Sequence, residues 1–195
     1  MILAIFLLLS IPAGYLAGGK LSNVKNYSAK ALGLPVAAFL LEAATPLFQK
    51  IIAAPVPEWH WILVTTEYLL LFAFCFVNRK SKAVWIIFLA CALNYFVIAL
   101  YGFQMPVASY VREIPEMAAT IAKIETGEYF RYTIANASDP FWFLGDVIFI
   151  PLKHIGGFAS IGDVLLGIGS GVLLCSWMRT EKKQPVQSQK TVDGG

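Results

Sequence analysis

Residues 141–171 read FWFLGDVIFIPLKHIGGFASIGDVLLGIGSG. A Gly-Asp step occurs twice in them, first at Gly145-Asp146 and again at Gly162-Asp163. Both acids stand inside apolar runs, where an ionised side chain is costly unless it faces a protein interior or a wet cavity. The stretch therefore predicts a membrane protein with a polar centre.

The composition around this stretch is that of a polytopic membrane protein. Of 195 residues, 58% are hydrophobic and 14% are charged, and the mean hydropathy is +0.68. A soluble domain carries about a quarter charged residues. The sequence therefore predicts an all-α integral membrane fold with about five transmembrane helices. The apolar segments that approach the roughly 20 residues needed to cross a bilayer lie at about 1–18, 31–53, 57–77, 83–103 and 155–177.

The basic residues are distributed unevenly between the loops. The loop between the second and third segments offers only Lys50. Positively charged loops stay in the cytoplasm, so the predicted topology is multi-pass, with the N-terminus outside and the C-terminus cytoplasmic. The basic clusters that decide this orientation are Lys20, Lys25 and Lys30, then Arg79, Lys80 and Lys82, then Arg179, Lys182, Lys183 and Lys190.

The chain divides into a polytopic membrane domain over residues 1–178 and a polar tail, 179–195, predicted to be disordered and cytoplasmic. Within the domain, residues 108–154 are predicted to be extracytoplasmic. Apolar residues recur there with helical spacing, which predicts an amphipathic helix on the outer membrane surface. Residues 141–152 are apolar but too short to span, which predicts a re-entrant or interfacial segment.

Several polar residues are predicted to lie at similar depths in the bilayer and to form a buried polar site. Crowded acids in a low dielectric raise one another's pKa, so the set suits a proton or cation site or an acid–base pair. The alternative is that each acid only fixes helix packing, and for Asp163 that it caps a helix. The candidate residues are Glu42, Glu67, Asn94, Gln104, Asp146 and Asp163.

Other chemistries have little support in the sequence. No pattern typical of a metal site, a phosphate-binding loop or a catalytic triad is present, so we expect neither a metal nor a cofactor. Nucleic acid is not an expected partner, because no basic and aromatic surface lies outside the membrane segments. The expected partners are membrane lipids and either a second copy of the chain or another membrane protein. Gly167 and Gly171, four residues apart, suit close helix packing within the protein or in such a dimer.

Four motifs in order resemble a family of small bacterial integral membrane proteins of unknown function. They are GKLSN at 19–23, GFQMPV at 102–107, FLGDV at 143–147 and SIGDVLL at 160–166. Members commonly have proline after FLGDVI, where this chain has Phe149 and a proline only at Pro151. The resemblance implies a bacterial inner-membrane location but no activity. Besides Gln104 and the two aspartates, it marks Met105, Pro106, Gly145 and Gly162 as motif positions.

Three functions are compatible with this pattern. The first is a small-solute or proton/cation-coupled transporter component that uses the buried carboxylates as a midplane site. The second is an intramembrane enzyme that acts on a lipid or lipid-linked substrate, with Asp146 and Asp163 as acid and base. The third is a membrane scaffold or assembly partner, in which the acids serve packing alone. The transporter is the leading hypothesis, and whether the protein is an enzyme is left open.

Overall fold

The computed structural model of the protein describes residues 2–26, 30–52, 59–151 and 157–179. Within these ranges the chain is mostly helical, with two small β-sheets. The helices are α1 (Ile2–Leu16), α2 (Gly33–Ile52), α3 (His60–Val77), α4 (Lys82–Leu100), α5 (Ala118–Glu125) and α6 (Ile161–Arg179). The strands are β1 (Met105–Ala108), β2 (Tyr132–Ala135), β3 (Ile148–Ile150) and β4 (Gly157–Ala159).

Each of the five predicted apolar segments contains a long helix. Three of these helices, α3, α4 and α6, have the length and apolar composition needed to cross a membrane. The apolar parts of the other two, Ile5–Leu16 and Gly33–Thr45, are shorter. Three helices with the character of membrane spans are thus present, and the count of five stays a prediction.

Helix α6 lies at the centre of the bundle, packed between α1 and α4. Helix α3 packs on α4, and α2 packs on α3, so the order of neighbours is α1, α6, α4, α3, α2. Glycines make the close approaches of α6 possible, because a side chain at Gly167 would overlap Phe6 of α1 and one at Gly169 would overlap Ile87 of α4. The small residues of α6 therefore serve packing inside the chain.

The loops rich in basic residues meet at one end of this bundle. The amide nitrogen of Lys20 and the side-chain amide of Asn23 both donate to the carbonyl of Met178 at the end of α6, over 2.8 and 2.9 Å. A Cβ at Gly19 would clash with the backbone of Met178, which explains the glycine. Asn78, after α3, exchanges hydrogen bonds with the backbone of Lys30, before α2. The first sequence motif is thus a cap for α6.

The opposite end carries the small sheets. β1 runs parallel to β2, with Met105 opposite Tyr132, and β3 pairs antiparallel with β4. The fold is therefore not purely α-helical. The strands are short and depend on partners distant in the chain, which is why the apolar pattern alone did not reveal them.

The structure adds detail to two predicted segments at this end. The predicted amphipathic helix is interrupted at Pro115 into two 3₁₀ turns, Ser109–Glu113 and Pro115–Met117, followed by the short α5. Its apolar side packs with β1 in a cluster that includes Val107, Val111 and Ile121. The segment predicted to be re-entrant or interfacial contains a 3₁₀ turn and β3 in its described part, and its placement in the membrane stays a prediction. Residues 152–156 and the tail from 180 lie outside the described residues.

Candidate functional site

Asp163 lies in the first turn of α6 and is held by two neighbouring elements. Ser160 precedes the helix, and the Ser160 amide donates to Asp163 Oδ2 over 3.1 Å while the Asp163 amide donates to Ser160 Oγ over 2.9 Å. This reciprocal pair is a capping box with aspartate in the fourth position. Asn94 of α4 then donates to Asp163 Oδ1 and accepts from Ser160 Oγ, each over 2.9 Å. The Asn94 side chain therefore locks α4 onto the start of α6.

Gly162 is required by this lock. A Cβ there would overlap the side-chain amide of Asn94, so any larger residue would displace the Asn94–Asp163 hydrogen bond. The capping alternative for Asp163 is thus present in the structure. Asp163 is nevertheless only half-buried and also borders a cavity.

Glu67, in the middle of α3, forms a bidentate ion pair with Arg131, which directly precedes β2. The Arg131 Nη1 and Nη2 atoms donate to Glu67 Oε1 and Oε2 over 3.0 and 2.7 Å. Nη1 also donates to Thr45 Oγ1 of α2 over 3.1 Å. The Glu67 side chain is 6% exposed and that of Arg131 is 22% exposed. Burial would lower the pKa of Arg131, but the contact with Glu67 outweighs it and the net shift is upward.

Sequence reasoning missed Arg131. Arg131 belongs to residues 108–154, the region predicted to be extracytoplasmic, so it is not among the candidate site residues. The only local sequence feature of Arg131 is its position between Phe130 and Tyr132 in a segment that favours an extended backbone. That feature does not predict which way the Arg131 side chain points. The pairing spans more than sixty residues of chain and becomes visible only in the fold.

Asp146 follows the 3₁₀ turn Trp142–Leu144 and is fixed through its backbone to β1. The Asp146 amide donates to the Pro106 carbonyl over 2.8 Å, and the Ala108 amide donates to the Asp146 carbonyl over 3.2 Å. A Cβ at Gly145 would overlap the Pro106 carbonyl, so this crossing requires glycine. The GFQMPV and FLGDV motifs therefore meet along one backbone contact.

The Asp146 carboxyl group is 7% exposed, and its Oδ1 atom accepts no hydrogen bond from any described residue. Burial, and secondarily the negative charge of Asp163, raises the pKa of Asp146 from 3.8 to about 8. The group is consequently mostly protonated at neutral pH. Its pKa therefore lies close to physiological pH.

Two adjoining cavities bring the predicted residues together. The first has a volume of about 420 Å³ and the second of about 510 Å³, in the range of small-molecule sites. Glu67 borders only the first cavity, and Asp146 only the second. The residues that border both cavities are Phe39, Glu42, Tyr68, Asn94, Arg131, Asp163 and Leu166.

Glu42, on α2, differs from the other acids. Its side chain is exposed, and no described residue donates a hydrogen bond to it. Thr45, one turn later on the same face of α2, is bound to Arg131. Glu42 therefore presents an available carboxyl group to both cavities.

Gln104 borders neither cavity. Its side-chain amide donates to the Phe130 carbonyl over 2.7 Å, which holds the end of α4 against the chain before β2. Of the neighbouring motif residues, Pro106 is fully buried and Met105 lines the second cavity. Gln104 is thus placed to support the fold around the cavities.

Acidic groups outnumber basic groups around the two cavities. Four carboxyl groups, those of Glu42, Glu67, Asp146 and Asp163, border the cavities, and Arg131 is the only basic side chain among the described lining residues. The described residues contain no group of three or more His, Cys, Asp or Glu side chains placed to hold a metal ion. Such a site can attract a cation or exchange protons.

The family of the chain is shown by comparison with known proteins. The model of a family of unknown function, DUF5317, matches residues 26–175, which is most of the chain, so the chain belongs to that family. No curated protein and no solved structure matches it significantly.

Proposed function

We propose that this DUF5317 protein is a component of a transporter for protons, cations or small cationic solutes. The observation that carries the proposal is the excess of carboxyl groups over basic side chains around two adjoining cavities inside a bundle of apolar helices. Acids at such depth are costly, and in membrane proteins they commonly mark ion pathways or proton relays.

Each acid has a distinct part in this proposal. Glu42 borders both cavities, accepts no hydrogen bond from a described residue and is the group that attracts the cation. Asp163 and Asn94 form a rigid polar edge, because the capping box and the α4–α6 lock fix both side chains. Asp146 is the proton-exchanging group, since its pKa of about 8 lies close to physiological pH.

We propose further that the bundle crosses the cytoplasmic membrane of a bacterium five times, with the N-terminus outside and the C-terminus inside. The gathering of Lys20, Lys30 and the end of α6 at one pole supports this orientation, because basic loops are retained in the cytoplasm. The pole with β1 and β2 then faces outward.

The test is ion flux into liposomes that contain purified protein and a trapped pH dye. After a pH step, with sodium, potassium or methylammonium outside, wild-type protein should give a flux above that of protein-free liposomes. Glu42→Gln should lower that flux about tenfold, the equivalent of 1.4 kcal/mol, without unfolding the protein, since no described residue depends on Glu42.

The matched control is Glu113→Gln, an exposed glutamate in the 3₁₀ turn at the outer pole, which should keep the wild-type flux. An unchanged flux in Glu42→Gln would contradict the proposed role of this residue. No flux in wild type would reject transport and leave the intramembrane enzyme and the scaffold, in which the acids only hold the bundle together.

A second candidate is acid–base chemistry on a lipid or lipid-linked substrate. It is favoured by one observation, that Asp146 and Asp163 border the same cavity while the pKa of Asp146 is raised to about 8. Two carboxyl groups that border one cavity can act as acid and base. In that case Asp146→Asn should abolish turnover of the substrate while wild-type liposomes show no ion flux.

A further inference from the structure

The first cavity has two chemically different ends. Glu42, Glu67, Asn94, Arg131 and Asp163 border it on one side. Asp163 begins α6 and Trp177 lies near its end, about 21 Å further along the axis at 1.5 Å per residue. The lining between these ends is mostly apolar, with Ser170 as its polar member, and it includes Leu71, Phe74, Ile87, Leu173 and Leu174.

The cavity is also accessible from the side of the bundle. Helix α1 packs extensively against α6, and α2 packs extensively against α3. Helices α1 and α2, which stand at the two ends of the row of helices, have no comparable contact with each other. Phe39 of α2 borders both cavities although 65% of its surface is exposed. Leu7 of α1 lines the first cavity from the other side of the same gap.

We propose that the ligand of this cavity is an amphiphile with a cationic head group and one long apolar chain, which enters from the lipid between α1 and α2. The inference rests on the proposed cation site and specifies its substrate class. The head group lies beside Glu42 and Asp163, and the chain extends along α6 towards Trp177.

The charge of the head group follows from the polar end. Arg131 is already paired with Glu67, so it neutralises one acid and leaves Glu42 and Asp163 as acceptors. An anionic head would meet these acids in a low dielectric, which is unfavourable. An ammonium group donates hydrogen bonds and accepts none, which suits an end rich in carboxylates.

The apolar part of the first cavity is the reason that the ligand should carry a long apolar chain. An inorganic or small organic cation would use only the polar end and would leave the apolar length of the cavity unfilled. Burial of apolar surface stabilises by about 25 cal/mol per Å², so a long chain adds affinity that a small cation lacks. The side opening supplies a route from the bilayer for such a molecule.

The experiment measures quenching of Trp177 by ω-bromododecylammonium in nanodiscs of zwitterionic lipid. Subtracting the signal of Trp177→Phe isolates this tryptophan from the others. We expect saturable quenching, with half-saturation at a concentration at least about tenfold lower than for ω-bromododecanoate. Glu42→Gln should remove this preference for the cation.

The length of the cavity is tested separately. Ser170 lines the first cavity midway along α6, whereas Val172, two residues on, is exposed and lines neither cavity. Ser170→Phe should raise the half-saturating concentration at least about tenfold, and Val172→Phe should leave it unchanged. Equal effects of both substitutions would overturn the proposed location of the chain.

The outcome also separates this inference from the proposed function. Quenching that never saturates, or that is equal for the two probes, would reflect partition into lipid and would overturn the amphiphile. If the liposomes still show an ion flux that is lost in Glu42→Gln, the proposed transport of a small cation is retained and only the amphiphilic ligand is rejected. If both signals are absent, both proposals fail.

Discussion

Asp146 is the residue whose ionisation should most directly affect the stability of the protein. Its carboxyl group is buried, and its pKa is raised from 3.8 to about 8. Below about pH 4 the group is protonated in both the folded and the unfolded chain. Between about pH 4 and pH 8 only the unfolded chain ionises it, so the free energy of unfolding falls as pH rises. Above about pH 8 this contribution no longer changes.

Asp146→Asn should remove this pH dependence, because asparagine resembles the protonated acid and does not titrate. We expect the variant to gain thermal stability relative to wild type as pH rises from 5 to 8. The measurement is the unfolding temperature of purified protein in detergent at several pH values. Glu113→Gln is the control and should follow the wild-type profile. Parallel profiles for Asp146→Asn and wild type would show that folding does not raise the pKa of Asp146.

At the residue scale, the sequence was informative where the interactions are local. The capping role of Asp163 could be anticipated, because Ser160 stands three residues earlier at the head of an apolar run. The pairing of Glu67 with Arg131 could not, since it depends on how a distant loop folds back over the bundle. The exclusion of Gln104 from the cavities likewise depends on the turn after α4, whose course no spacing rule predicts.

At the scale of elements, the Glu67–Arg131 ion pair connects the small sheet to α3 and, through Thr45, to α2. Removing one partner of a buried ion pair leaves an uncompensated charge, which costs about 3–5 kcal/mol. Glu67→Gln should therefore destabilise the protein by about this amount. The measurement is the free energy of unfolding from denaturant titration.

The control for this prediction is the exposed ion pair of Arg112 and Glu125, whose side chains are 48% and 47% exposed. Glu125→Gln should cost less than about 1 kcal/mol, because exposed pairs contribute little. The double variant Glu67→Met, Arg131→Met should recover much of the loss, since neither charge is then buried alone. A Glu67→Gln cost no greater than that of Glu125→Gln would show that the pair does not secure the sheet.

The five long helices were predictable, because a long apolar run is a local property of the chain. The strands were not, because each has only three or four residues and pairs with a distant segment. Pro115 also divides what the periodicity alone presents as one amphipathic helix. The polar region after α4 is therefore where sequence reasoning was weakest, and it supplies Arg131 and Asp146 to the site.

At the scale of the whole molecule, the two poles of the bundle differ in charge and structure. One pole joins the loop before α2 to the end of α6 through Asn23 and to the end of α3 through Asn78. The other carries both small sheets and α5. This polarity agrees with the topology proposed from the basic loops, in which the sheet pole faces outward.

That topology predicts which engineered cysteines react in intact bacteria with a maleimide that does not cross membranes. Cys75, Cys91 and Cys175 are first replaced by alanine. Glu113→Cys, at the sheet pole, should then be labelled in intact cells, and Lys80→Cys, at the basic pole, only after the membrane is opened. Both positions are exposed, so a difference reports their side of the membrane. The reverse labelling pattern would show the opposite orientation. Labelling of both cysteines in intact cells would show that α4 does not cross the membrane between them, and it would contradict the proposal that these helices are transmembrane.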